Sequence, residues 1–321
     1  MKRFAYSIII PHYHIPDLLM RCLKTIPVRE DVQVIVVDDN SPDADTYTER
    51  YPELSRPFLT FIRTPKRGGA GYARNIGMEH AQGKWLIFAD ADDYFVEKFD
   101  TILNEFSDNP EDIIYFKTVS VFSTDIRRLS DRIAWLDAIF DRYFITFQDG
   151  ELRCNHCVPW GKILKMSLVQ KHQLLFDEVM YSNDVYFAVR AGCLASSIKV
   201  VNQPFYVLTE RTGSLASQFG QKPKELQTRA EVSFRTQKFI NKTGFTPFFQ
   251  EHLSTSRYMA NLYHQDKQLY RSYFYRMPEV YSSYLEALKH IRIWESGKRN
   301  KAKLYLYSLG LLTIKPFLSH Q

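Results

Sequence analysis

Trp85-Leu86-Ile87-Phe88-Ala89-Asp90-Ala91-Asp92-Asp93 is the stretch that decides the fold. An unbroken apolar run ended by carboxylates is the pattern of a strand covered on both faces that delivers acidic groups at its carboxyl end. The same arrangement occurs earlier, where Val34-Ile35-Val36-Val37 runs into Asp38-Asp39-Asn40-Ser41-Pro42-Asp43. Ligands of open parallel sheets bind beyond the carboxyl ends of the strands, so these two clusters are the first candidates for a site.

Outward from them, β-branched and apolar runs at 6–11, 32–38, 58–63, 85–89 and 113–122 predict strands. Segments with helical spacing at 18–26, 44–51, 70–81 and 96–106 fall between them. Alternation of this kind predicts an α/β domain with a mostly parallel central sheet flanked by helices. From 125 to 210 the pattern is less regular, with helical stretches near 130–140, 162–171 and 183–195 and a closing strand at 198–208. Beyond Gly220 the strand signals stop, and Pro223 opens a run in which Leu226, Ala230 and Phe234 recur at helical spacing. The expected division is an α/β domain over 1–215 and a helical C-terminal subdomain over 216–321.

The chain has 321 residues, 45% of them hydrophobic and 24% charged, enough to bury a large core. Its apolar runs fall far short of the roughly 20 residues that span a bilayer, and Met1-Lys2-Arg3-Phe4 lacks the apolar stretch of a signal peptide. The cytoplasm is the expected location. Four cysteines are too few for a disulfide framework. Cys154-Asn155-His156-Cys157 resembles half a zinc site, but no second ligand pair follows at suitable spacing, which favours ordinary thiols. A net charge of +6 attracts phosphates or an anionic membrane without singling out nucleic acid, and no nucleic-acid partner is expected. The sequence carries no signal for oligomeric state.

Three carboxylates within four residues repel one another unless a cation or hydrogen-bond donors neutralise them. A hard divalent ion, Mn²⁺ or Mg²⁺, would do so on Asp92 and Asp90, leaving coordination positions for phosphate oxygens. Asp residues that merely cap a turn explain the triplet equally well when it is taken alone. Lys66-Arg67-Gly68-Gly69-Ala70-Gly71-Tyr72-Ala73-Arg74-Asn75 places glycines and cations before a helix, which suits a diphosphate approaching the backbone. It is neither a Walker loop nor a dinucleotide fingerprint.

Taken together, these segments resemble glycosyltransferase family 2, whose members are inverting enzymes with the Rossmann-like GT-A fold. Ser7-Ile8-Ile9-Ile10-Pro11-His12-Tyr13-His14 resembles its first strand motif, and Val36 to Asp43 its nucleoside-binding motif. Ala73-Arg74-Asn75-Ile76-Gly77 resembles its arginine–asparagine helix, and Asp90-Ala91-Asp92-Asp93 its metal motif. Trp160-Gly161-Lys162, Asn183-Asp184-Val185-Tyr186-Phe187 and Arg211-Thr212-Gly213-Ser214 extend the likeness, with Asn183 standing where the family usually has Glu. His14 and Arg67 also depart from the usual pattern.

The resemblance implies an inverting transfer of sugar from a nucleotide-diphosphate donor, UDP above all, to a hydroxyl of a saccharide or lipid-linked acceptor in cell-surface polysaccharide synthesis. It implies Asp184 as general base and Mn²⁺ or Mg²⁺ on Asp92 and Asp90. The residues expected around the nucleotide sugar are Pro11, Tyr13, Asp39, Arg67, Arg74, Asp90, Ala91, Trp160 and Arg211. Asp184 also begins a predicted helix and could serve only as its N-cap. Trp160 could stack on a sugar or simply pack.

Two other classes share parts of this pattern. A sugar nucleotidyltransferase would carry a glycine-rich loop directly after the first strand, where Pro11-His12-Tyr13-His14 has no glycine. A non-catalytic nucleotide-sugar-binding protein would have no use for Asp184. For the tail, cations at Lys298, Arg299, Lys301 and Lys303 border the apolar residues that follow, so residues 298–316 either meet the inner face of a membrane peripherally or pack on their own domain.

Overall fold

The computed structural model describes residues 4–211, 223–250, 253, 255–284 and 286–287. The chain divides into two compact units, Met1–Gln218 and Phe219–Gln321. Residues 298–316 and Ser214 lie outside the described residues.

The first unit is built on one sheet. Strands β1 (Tyr6–His12), β2 (Val32–Asp38), β3 (Leu59–Arg63) and β4 (Trp85–Phe88) pair in parallel in the order β3-β2-β1-β4. Every residue of β1, β2 and β4 is buried, as the unbroken apolar runs require. Helices α1 (Pro16–Lys24), α2 (Tyr47–Arg50), α3 (Ala70–His80) and α4 (Phe99–Phe106) follow these strands in turn, with β5 (Tyr94–Phe95) just before α4. Register aligns the strand ends: His12 pairs with Asp38, and Ala89 N–H donates to the Ile9 carbonyl at 3.1 Å. The polar residues after β1, β2 and β4 therefore emerge along one edge.

Beyond β4 the sheet is mixed. β6 (Ile113–Phe122) carries the hairpin strand β7 (Asp125–Leu129), and α5 (Ala134–Thr146) and α6 (Gly150–Asn155) come next. β8 (Lys162–Lys165) lies antiparallel to both β4 and β6, which corrects the helical reading of 162–171. Only α7 (Met166–Lys171) is helical there. Ile163 and Leu164 point to opposite faces and both are fully buried, a condition a strand inserted between two others meets. β9 (Ile198–Glu210), reached through α8 (Val185–Leu194), runs parallel to β6 and antiparallel to β5. Its register against β6 slips where Pro204, which has no N–H to offer the ladder, faces Lys117. Past that slip, Tyr206, Thr209 and Arg211 reach the turn after β4.

The second unit contains α9 (Pro223–Ile240), α10 (Thr255–Gln265) and α11 (Lys267–Arg276), packed around Leu226, Phe234, Met259, Tyr270 and Phe274. Asp266 caps α11 by accepting from Leu269 N–H at 2.9 Å. Among the described residues no helix is long and apolar enough to cross a membrane.

Candidate active site

The first part of the site is the turn after β4. Asp93 N–H donates to the Asp90 carbonyl at 3.0 Å, closing residues 90–93 into a turn. The three carboxylates do not crowd together, because Asp93 points inward and is 1% exposed. It accepts from the Tyr206 hydroxyl at 2.9 Å and from Thr209 N–H at 2.7 Å. Burial, followed by the charges of Asp92 and Asp90, pushes its pKa well above the usual carboxylate range. The same Tyr206 oxygen accepts from Asp90 N–H at 2.8 Å. Arg21 and the Thr209 hydroxyl both donate to the Asp92 carbonyl. Trp160 stacks on Tyr206 with ring centroids 5.7 Å apart and is 6% exposed, so its indole supports the phenol and offers a sugar almost no face.

Asp90 and Asp92 remain partly exposed, at 31% and 21% of their side chains. Each meets an arginine. Arg74 Nη2 lies 2.6 Å from Asp90 Oδ1, and Arg211 Nε lies 2.6 Å from Asp92 Oδ2. Among the described residues no three His, Cys, Asp or Glu side chains come together in a way that would hold a metal ion. Two hard carboxylates, each with one oxygen outside its arginine pair, nevertheless fit Mg²⁺ or Mn²⁺ when substrate phosphates complete the shell. Asp92 and Asp90 are the residues that would hold it.

The second part follows β1 and β2. His12 Nδ1 is 2.7 Å from Asp38 Oδ2, while His12 Nε2 accepts from Ile15 N–H at 3.1 Å. The proton of the ring therefore sits on Nδ1, facing the carboxylate. Asp38 also accepts from Ser41 N–H at 2.7 Å and Ser41 Oγ at 2.6 Å. Burial pushes Asp38 up, but the hydrogen bonds from His12 and Ser41 outweigh it and hold the carboxyl below its usual range. Asp38 is thus the internal anchor of this corner. Asp39 faces the glycine loop, accepting from Gly68 N–H at 2.7 Å and Gly69 N–H at 2.8 Å. Each of its oxygens keeps a second lone pair. Gly69 has φ +88°, a conformation that favours glycine, and at Gly71 a Cβ would stand 2.0 Å from the Asp177 carbonyl. Arg67 lies 3.9 Å over the Tyr13 ring, so two of the residues expected around the nucleotide form one exposed-edge platform. Pro11 is buried in β1.

The third part joins these to α8. Asn75 on α3 donates to the Phe176 carbonyl at 3.1 Å and accepts from Phe176 N–H at 2.9 Å, pinning the segment before α8. Arg74, 4% exposed, donates from Nη1 to Asn183 Oδ1 at 2.8 Å while Nη2 holds Asp90. Asn183 precedes Asp184, so the residue next to the expected base and the expected metal motif share one guanidinium. Asp184 occupies the N-cap position of α8, yet its side chain makes no capping hydrogen bond. The carboxylate thus does not do the work of a cap.

Sequence reasoning placed Arg74, Asp90, Asp92 and Arg211 together, as found. It missed Arg21, Tyr206 and Thr209, which hold the turn, and Lys162, which is 1% exposed and donates to the His156 carbonyl at 2.9 Å. Burial pulls the Lys162 pKa down to about 7, with Cys157 and Asp184 among the charges it feels. The one available signal was Asp93: a third carboxylate in a row needs partners, but nothing in the sequence names them. Cys154 and Cys157 are buried thiols, and Cys154 Sγ donates to the Gly150 carbonyl at 3.0 Å.

The mixed sheet flanked by helices, with both carboxylate clusters at one edge, is a GT-A fold. The fold matches that of residues 1–349 of Staphylococcus aureus TarS, crystallised with UDP-GlcNAc, at a TM-score of 0.60 and 18% identity over 90% of this chain and 81% of that one. Residues 7–172 match the model of glycosyl transferase family 2, and the chain belongs to that family. It is 27% identical over 216 residues to a poly(ribitol-phosphate) beta-glucosyltransferase of Bacillus spizizenii, covering 64% of this chain and 32% of that protein. It is 24% identical over 302 residues to a cholesterol galactosyltransferase of Borreliella burgdorferi, covering 85% of this chain and 81% of that protein. The chain thus spans about a third of the length of the first relative and most of the second.

Proposed function

We propose that this protein transfers a sugar from a nucleotide-diphosphate donor, UDP as the nucleotide, to a hydroxyl of a saccharide or lipid-linked acceptor in cell-surface polymer synthesis, with inversion at the anomeric carbon. The observation that carries this reading is the guanidinium of Arg74, which ties Asp90 to Asn183 and so links the turn we assign to the diphosphate to the residue before the base we assign.

Asp184 takes the proton of the acceptor hydroxyl. The acceptor oxygen then attacks the anomeric carbon from the face opposite the diphosphate, the bond from that carbon to the diphosphate oxygen breaks, and its electron pair stays with the leaving nucleoside diphosphate. A divalent ion on Asp92 and Asp90 supplies Lewis-acid stabilisation of that leaving group when bound. Arg74 and Arg211 add positive charge beside the same carboxylates. The Tyr13–Arg67 platform and the Asp39 lone pairs beside Gly68 and Gly69 are the groups we assign to the nucleoside. Membership of a family with a TarS-like fold and relatives acting on a poly(ribitol-phosphate) and on cholesterol supports the choice of a cell-surface acceptor.

A thermal-shift and hydrolysis screen of sugar nucleotides, run with Mn²⁺ or Mg²⁺ and then with the metal chelated, tests the reading. Stabilisation by a UDP-sugar that depends on the metal is expected. If no nucleotide stabilises the protein in a metal-dependent way, the proposal fails.

A further inference from the structure

The two arginines beside the metal motif differ in how they are held. Arg74 is nearly enclosed, grips Asp90 and Asn183 at once, and has no freedom to leave. Arg211 is 33% exposed and stands at the end of β9, and its guanidinium meets Asp92 through Nε alone. The Asp92 main chain cannot follow it, because Arg21 and Thr209 both clamp the Asp92 carbonyl. Separating this pair therefore takes side-chain rotation, for which the exposed Arg211 has the room, and not a shift of the turn.

We propose that Arg211 is the exchangeable counter-cation of Asp92, displaced when metal binds and handed to the donor diphosphate, so that metal and nucleotide bind cooperatively. The inference rests on the reading that Asp90 and Asp92 take a metal-bound diphosphate. A divalent ion arriving alone at Asp92 can use the oxygen outside the pair, but only beside a guanidinium charge 2.6 Å from the other oxygen, and the repulsion favours turning Arg211 out into water. A divalent ion arriving with a diphosphate brings new acceptor oxygens that an arginine fork matches well. The cost of breaking the pair falls on the metal in the first case and is offset in the second. Linkage then makes the effect reciprocal, with nucleotide tightening metal and metal tightening nucleotide.

Arg211 is on this account a positioning residue, and the test reads binding rather than turnover. Free Mn²⁺ is titrated by electron paramagnetic resonance against the full chain, with and without UDP, for the wild type, Arg211→Gln and Arg211→Lys. In wild type UDP is expected to tighten Mn²⁺ by about 5-fold or more, within the usual range of coupling between sites. In Arg211→Gln, Mn²⁺ alone binds several-fold tighter than in wild type and the enhancement by UDP largely disappears. Arg211→Lys keeps the charge and retains part of the coupling. Unchanged or weaker Mn²⁺ binding by Arg211→Gln without UDP would overturn the exchange while leaving the metal site intact. Absence of Mn²⁺ binding by wild type even with UDP would instead remove the metal-diphosphate reading, and this inference with it.

Discussion

Arg74 and Asn183 are joined at 2.8 Å, and the same guanidinium holds Asp90 at 2.6 Å, so α3 cross-links the end of β4 to the start of α8. Replacing Arg74 by Met leaves Asp90 without its buried partner and Asn183 without its donor. Because Asp90 is about one-third exposed, water recovers part of the loss, and a destabilisation of about 1–3 kcal/mol is expected, measurable by urea unfolding. Turnover should fall by about 100-fold or more, since the turn after β4 and the start of α8 lose their common reference. Arg74→Lys keeps the charge but cannot fork, and should recover stability better than activity. Equal recovery of both would remove the cross-link from the account.

Tyr206 offers a second check on the turn. Its hydroxyl accepts from Asp90 N–H and donates to Asp93, so Tyr206→Phe strands two buried polar groups for the loss of one oxygen. A cost of about 1–3 kcal/mol follows from leaving them unsatisfied. Donor KM should rise more than kcat falls, because the hydroxyl shapes the binding turn and touches no reacting atom. A kcat effect with unchanged KM would contradict that role.

At Asp39 the two N–H donors of Gly68 and Gly69 demand acceptors. Asp39→Asn presents an amide N–H₂ to one of them, a donor-to-donor clash in a nearly buried corner. Nucleotide affinity should drop by about 10-fold or more in isothermal titration, with the fold intact by circular dichroism. Wild-type affinity in this variant would show that the glycine loop does not depend on the carboxylate.

Lys162 makes stability depend on pH in a definite direction. The folded chain gives up its proton near pH 7 while an unfolded lysine holds one to about 10.5. Between these values the unfolded state binds more protons, so folded stability is lowest below pH 7 and rises toward 10.5. Lys162→Met removes the buried ammonium and should be most stabilising relative to wild type below pH 7. That advantage should shrink by about 1–3 kcal/mol by pH 9.5. A difference between the two proteins that does not change with pH would mean the ammonium carries no burial penalty.

Legibility in the sequence followed burial. Strands β1, β2 and β4 are covered on both faces, and their unbroken apolar runs located them within a residue of their ends. Strand β8 was misread because Lys162-Ile163-Leu164-Lys165 is short and continues into the true helix α7, so periodicity alone could not separate the two. The short strand β5 likewise displaced the start of α4 from residue 96 to Phe99. Asp39, Asp90, Asp92 and Arg74 were legible because carboxylates and arginines at strand ends and before helices carry their own chemical signature. Tyr206 and Thr209 were not: they sit on a strand distant in sequence, and only pairing of β9 beyond its slip against Pro204 brings them to the turn. The sequence also left Asp184 divided between base and helix cap. In the structure the Asp184 side chain makes no capping hydrogen bond to α8.

That carboxylate is the centre of the account, and Asp184→Asn tests it most directly. The variant keeps size and shape but loses the negative charge and with it the capacity to accept a proton. With a UDP-sugar that the wild type uses, kcat is predicted to fall by about 10²–10⁴-fold, the range for loss of a general base, while donor affinity measured by isothermal titration stays within about 2-fold. Turnover at the wild-type rate in Asp184→Asn would contradict the assignment of the base and with it the inverting transfer proposed for this site.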